Sequence, residues 1–229
     1  MRTYLILSLL ILLLISGLLA ARIQQPDHPE AHPAEEYIAR LQQGDRAVKS
    51  LHSQSNNHTF WLSLSGKLHI LHADSTVHTT INQGGGAWKD VTFVEDFCLS
   101  PSGDSIYFTD IMDLQSGLSA IKRTDIQGNN IEVITYLNKE IPYLIRLMPE
   151  EDILFFLSKK EEKGLPSFRL RYIHLTDGSR GTLYTSASKL HDIHTDLLQN
   201  SVSAVDSGQE LHSFSTEMPG VTGLADAQE

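Results

Sequence analysis

"LSPSGDSIYFTD", residues 99–110, opens as a turn and closes as a strand. Pro101-Ser102-Gly103-Asp104 carries the residue types that set the φ values of tight turns. Ile106-Tyr107-Phe108-Thr109 then supplies the β-branched and aromatic residues that fit a pleated, half-buried surface. The stretch "LMPEEDILFF", residues 147–156, overlays it without a gap, so that Leu147, Pro149 and Phe156 repeat Leu99, Pro101 and Phe108. Phe60 extends the same interval backwards from Phe108. The stretch is one copy of a repeat.

The second half of each unit repeats as well. Strand-like segments flank Gln127-Gly128-Asn129, Thr176-Asp177-Gly178 and Ala73-Asp74-Ser75, where the small polar residues permit the positive φ of a hairpin. A fourth copy is expected to begin at "SAVDSGQELHSF", residues 203–214, with Ser207-Gly208 in the place of Ser102-Gly103 and Phe214 in that of Phe108. Short strands at a fixed long period are the pattern of propeller blades. The expected fold is therefore all-β and propeller-like, with about three and a half four-stranded blades over residues 52–216.

Other segments depart from this pattern. Residues 1–21, "MRTYLILSLLILLLISGLLAA", hold one Arg, no acid and an apolar run from Tyr4 to Ile15 broken by Ser8. They read as an export signal or a membrane anchor. The run is short for a membrane span, but Leu18 and Leu19 stand where signal peptidase prefers small side chains. Residues 22–33, with Pro26, Pro29 and Pro33, suit an extended linker. Over residues 34–51 the spacing of Tyr37, Ile38, Leu41, Val48 and Leu51 predicts one helix, with Glu35 and Glu36 at its start. Residues 217–229 read as a flexible tail. The expected location is outside the cytoplasm, periplasmic or extracellular, free or held at the membrane by residues 4–21.

Setting aside residues 1–21 moves the net charge from −10 to −11, which disfavours nucleic acid as a partner and leaves residues 4–21 as the expected membrane contact. The single Cys98 lies in the apolar stretch Phe97-Cys98-Leu99 and cannot form an internal disulfide, so a buried packing role is expected.

"LSPSGDSIYFTD…GLSAIKRTDIQGNNIEVI" resembles a blade of the TolB-type propellers and of the YWTD propellers. Pro101, Gly103, Tyr107, Phe108, Thr109, Asp110, Arg123, Asp125 and Gly128 carry the resemblance. The third unit departs from it, with Glu150-Glu151 for Ser-Gly and Leu157-Ser158 for Thr-Asp, and the first lacks the Pro turn. The resemblance implies a propeller that serves recognition, with blade-end loops and the N-terminal segment as the contact surface.

Motifs for chemistry are sparse. Asp177-Gly178-Ser179-Arg180-Gly181 lacks the spacing of a nucleophile elbow, and Gly84-Gly85-Gly86 lacks the Lys-Ser/Thr of a phosphate loop. It reads as a flexible connection between units. His191-Asp192-Ile193-His194 is the densest histidine cluster, but on a strand its two rings would point to opposite faces, and an exposed connection between units is the expectation. Lys159-Lys160-Glu161-Glu162-Lys163 reads as a solvated loop. No catalytic, cofactor-binding or metal-ligating residue is assigned, and no cofactor is expected. The leading expectation is a non-catalytic cell-envelope module that binds a protein or peptide, with self-association through an open blade edge as a further expectation. The alternative is a small propeller-type hydrolase or lyase acting on an exported substrate, for which Asp110, His174 and Asp206 are the candidate polar groups.

Overall fold

The computed structural model describes residues 46–72, 78–81, 91–128, 130–148, 152–196 and 201–215, all within the compact unit Arg40–Glu229. The leader at 1–21, the linker at 22–33, most of the expected helix, the turn at Ala73-Asp74-Ser75, the Gly84-Gly85-Gly86 connection and the tail at 217–229 lie outside the described residues.

Four antiparallel sheets follow one another along the chain, each a simple meander. The first holds β1 (Ala47–His52), β2 (Thr59–Ser63), β3 (Leu68–Leu71) and β4 (His78–Thr80). The second holds β5 (Val94–Leu99), β6 (Ser105–Asp113), β7 (Leu118–Asp125) and β8 (Glu132–Asn138). The third holds β9 (Glu140–Met148), β10 (Ile153–Glu162), β11 (Leu165–His174) and β12 (Arg180–Ser186). The fourth holds β13 (Leu190–Asp196), β14 (Ser201–Asp206) and β15 (Leu211–Ser215). Among the described residues β15 pairs with β14 alone.

Side-chain alternation along each strand makes every inner sheet two-faced, and the core is correspondingly divided into three. Phe60, Leu62, Leu68 and Ile70 meet Val94, Phe97, Ile106 and Phe108 between the first and second sheets. Tyr107, Ile121 and Leu137 meet Ile145, Leu154, Phe156 and Ile173 between the second and third. Phe155, Leu157, Phe168 and Leu170 meet Leu190, Ile193, Val202 and Ala204 between the third and fourth. Strand contacts between sheets run in the same series, and none of comparable extent joins the fourth sheet to the first among the described residues.

Several expectations need correction. No helix occurs among the described residues, and Ala47–Leu51, expected to end one, forms strand β1. Leu51 pairs with Phe60 and packs against the first core, so sheet pairing outweighs the helical spacing of Val48 and Leu51. The sheet domain consequently starts before residue 52. Phe60 is not the equivalent of Phe108. The two face each other across one core, whereas Phe108 and Phe156 each face the preceding sheet. The register Leu51↔Phe60 matches Cys98↔Tyr107, so Tyr107 is the counterpart of Phe60, and a one-residue slip is enough to change the face.

The fourth unit is also displaced by one strand. His191–His194 lies on β13, the first strand of that sheet, and is no connection between units. Ser207-Gly208 turns from the second strand to the third, as Lys163-Gly164 does in the third sheet. Lys159–Glu162, expected in a loop, completes β10, with the turn at Lys163-Gly164 alone.

The opening Pro-Ser-Gly-Asp turn is held from the sheet before it. Ser55 Oγ donates to Ser102 O, and Asn56 Nδ2 donates to Gly103 O at 2.9 Å. Gly103 sits at φ +73° with its α-carbon against the Ser53 hydroxyl, where a β-carbon has no room.

Candidate functional site

The first strands of the second, third and fourth sheets adjoin, Lys49 of β1 reaches β5, and this is the side of a propeller on which its axis lies. The four first strands contribute one charged side chain each, 46 to 50 residues apart, with alternating sign. Lys49 Nζ on β1 lies 2.6 Å from Asp96 Oδ1 on β5. Arg146 on β9 reaches Asp96 Oδ2 at 3.4 Å and Asp192 Oδ1 on β13 at 3.8 Å. His194 Nε2 lies 3.4 Å from the other Asp192 oxygen. Asp96 also accepts the Ile145 amide at 2.9 Å, and Lys49 donates to Phe97 O while standing 4.9 Å from the centre of the Phe97 ring.

The row is graded. Side-chain exposure is 9% at Asp96, 35% at Arg146, 45% at Asp192 and 60% at His194. Asp96 is thus a fixed anchor among three strands, while Arg146, Asp192 and His194 offer charge and hydrogen-bonding groups to a polar partner. At that exposure the outer pairs hold the fold weakly and are screened by salt.

Deeper in the sheets the acids are fully committed. Asp110 Oδ1 accepts the amides of Thr92 and Phe93, both at 2.9 Å, and Oδ2 accepts Lys122 Nζ at 2.8 Å. Both side chains of this ion pair are buried. Glu140 accepts Ser158 Oγ through one oxygen and Arg171 Nη1, at 2.9 Å, through the other. The Arg171 guanidinium stands 5.5 Å from the Phe156 ring centre. Burial pushes the Cys98 thiol up to about 12, with the nearby Asp96 charge adding to the effect, which makes it a packing residue at neutral pH. Tyr143 joins β9 to β13 by donating to Leu190 O at 2.8 Å, and burial raises its phenol above the ordinary tyrosine range.

Asp110, His174 and Asp206, the candidate polar groups of the hydrolase reading, occupy three different sheets and are engaged locally. Asp110 holds the chain before β5 to Lys122. His174 ends β11 with its ring edge-on to Tyr172 at 5.7 Å. Asp206 ends β14, where Oδ1 accepts the amides of Gly208 and Glu210 at 2.8 and 3.0 Å. The structure brings together a different set, Lys49, Asp96, Arg146 and Asp192. Their signal in the sequence is a charged residue within the first strand of each unit, a place where alternation alone predicts an ordinary solvent face.

No family model matches the chain, and no curated protein matches it by sequence. Solved structures do. A chain of a nidogen/laminin complex superposes with TM-score 0.58 at 17% identity, covering 77% of this chain and 63% of that one. An oligogalacturonate lyase in complex with manganese gives 0.51 at 13% identity, with coverage of 71% and 46%. TolB from Acinetobacter baumannii gives 0.50 at 15% identity, with coverage of 74% and 40%. The chain spans less than two thirds of each. The four meandering sheets, stacked in series with their first strands together, have the β-propeller fold and resemble both the YWTD and the TolB-type propellers.

Proposed function

We propose that this chain is a non-catalytic interaction module of the cell envelope that binds a protein or peptide on the first-strand side of its sheets. The observation that carries the reading is the graded charge row. Its inner acid, Asp96, is saturated by Lys49, Arg146 and the Ile145 amide, while Arg146, Asp192 and His194 face outward with polar groups to offer. A reacting centre needs a group poised to move a proton or attack, and the buried carboxylates of Asp110 and Glu140 are already spent on internal donors. Recognition by a surface of mixed charge needs none. The envelope location rests on residues 1–21, whose composition is that of an export signal or anchor. Support also comes from the nidogen chain, solved in complex with laminin, although the shared propeller fold by itself hosts enzymes as well.

Affinity capture from envelope extracts with the full chain tests the reading. A stoichiometric protein or peptide is expected, lost on Arg146→Glu and Asp192→Lys and retained on Glu162→Gln. Capture of nothing, together with turnover of an exported sugar or ester that Asp192→Asn abolishes, overturns it in favour of a hydrolase or lyase. A second copy pairing along β15, where Leu211 is 58% exposed, is the self-associating form of the same reading, and sedimentation of the purified chain separates the two.

A further inference from the structure

The β14–β15 hairpin gathers Asp206, Glu210 and His212, whose potential ligand atoms all lie within 4.8 Å of one another. The group is more ordered than a surface cluster of acids. Asp206 Oδ1 is fixed by the two amides of the turn, which turns Oδ2 toward His212. Oδ2 and His212 Nε2 stand 3.5 Å apart, with both side chains largely buried, at 14% and 16% exposure. The imidazole is held from another sheet, for the Tyr184 ring on β12 stacks against it at 4.3 Å. The Tyr184 hydroxyl also approaches Nε2, at 3.3 Å.

Asp206 Oδ2 and His212 Nε2 stand at ion-pair distance, a spacing that also suits two ligand atoms on one metal ion. Zinc bound tetrahedrally at about 2.0–2.1 Å from nitrogen and oxygen places its ligand atoms about 3.4 Å from one another. The ligand chemistry agrees, since one imidazole with two carboxylates suits a borderline divalent ion, whereas calcium takes six or more oxygens. The surroundings agree as well, because fixed outer contacts on both Asp206 and His212 are what orient ligands before a metal arrives.

We propose that Asp206 Oδ2, the Glu210 carboxylate and His212 Nε2 form a zinc site, with water completing the tetrahedron. The ion would sit where the fourth sheet meets β12 of the third, and would clamp the hairpin to its neighbour. Its ligation takes deprotonated ligands, so binding releases protons and weakens with acid.

The test uses the full chain, stripped with chelator and titrated with zinc alone against a chromophoric competitor. One zinc per chain is expected, with affinity reduced tenfold or more by Glu210→Gln and by His212→Gln, and retained in His191→Gln/His194→Gln. Glu210 is exposed, so its substitution leaves the fold standing and isolates ligation from stability. Cobalt(II) should give the visible absorption of a tetrahedral nitrogen and oxygen site, and zinc should slow amide exchange along β14 and β15. Absence of stoichiometric zinc, or zinc that survives both ligand variants, or loss of zinc in the His191/His194 variant, overturns the proposal.

Discussion

The second and third sheets each place a cation on their third strand opposite a buried Phe and neutralise it by different routes. Lys122 pairs in register with Phe108, and Arg171 occupies the same place opposite Phe156. In the second sheet the acid is Asp110, two residues beyond Phe108 on the same strand, and it also holds the Thr92 and Phe93 amides. In the third sheet Ser158 stands at that position, and Glu140 reaches in from the first strand to bind both Ser158 and Arg171. The first sheet carries a variant with no ion pair between these positions, in which Trp61 stacks on His69 at 4.9 Å and Ser63 stands where the acid would be. What the repeat preserves is the cation or ring opposite the aromatic residue, while the strand that supplies the acid is interchangeable.

The largest effect should come from the driest pair. Asp110→Ala leaves Lys122 buried without its acid and removes the acceptor of two amides, which should cost about 4 kcal/mol in urea unfolding. The same substitution in a Lys122→Met background should cost at least about 1 kcal/mol less, because the stranded charge is gone. Equal costs in the two backgrounds would show that the amides, and not the ion pair, dominate.

Glu140→Gln should cost less, about 2 kcal/mol, since Arg171 keeps 17% of its side chain in solvent. Adding Ser158→Asp should recover more than half of that loss by restoring the arrangement of the second sheet. If it recovers nothing, the equivalence of positions 110 and 158 fails.

At the open end of the first-strand row, Asp192→Asn should change stability by about 0.5 kcal/mol or less, and the difference should vanish in high salt. A salt-independent loss of several times that size would mean that the row is structural throughout. The smallest effect concerns the first sheet. Burial, and secondarily the neighbouring His58, hold His72 below its ordinary value of 6.5, so the unfolded chain binds the proton more readily. The neutral ring therefore contributes stability present above pH 6.5 and lost as pH falls below it. The thermal midpoint should drop more between pH 7 and 5 in the native chain than in His72→Gln.

Much of the fold is legible in the sequence because the strands repeat at a nearly constant interval and their turns carry Gly, Asp and Pro. Among the described residues, Leu99, Ile106 and Phe108 face the preceding sheet as Leu147, Leu154 and Phe156 do. The correspondence fails where the interval changes by one. Phe60 and Phe108 are both aromatic, and spacing alone does not tell which face of its sheet each occupies. The fourth unit misleads differently, since Ser-Gly serves equally well in the turn after a first strand and in the turn after a second. Val48 and Leu51 fit helical spacing as well as a strand, and the deciding partner, Phe60, is nine residues away from Leu51. The charge row was hidden for a chemical reason. Lys49, Asp96, Arg146 and Asp192 sit among apolar neighbours and look like solvent-facing alternation until four strands stand side by side. Asp110 was visible as the end of a motif, but Glu140, which does the same work one sheet later, has no motif at all.

The division of the core into three has a consequence for how the molecule comes apart. Among the described residues each sheet couples only to its neighbours, so stability behaves like a row of linked units and opening propagates from an end. The second and third sheets are gripped on both faces, whereas among the described residues the fourth packs through a single core. Amide exchange should therefore show a gradient, with β6, β7, β10 and β11 opening only in the global event and β14 and β15 opening in a smaller, cheaper one. A ligand that bridges β13 to β9 across Arg146 and Asp192 acts on that smaller event, and its binding energy would appear first as slowed local opening of the last sheet.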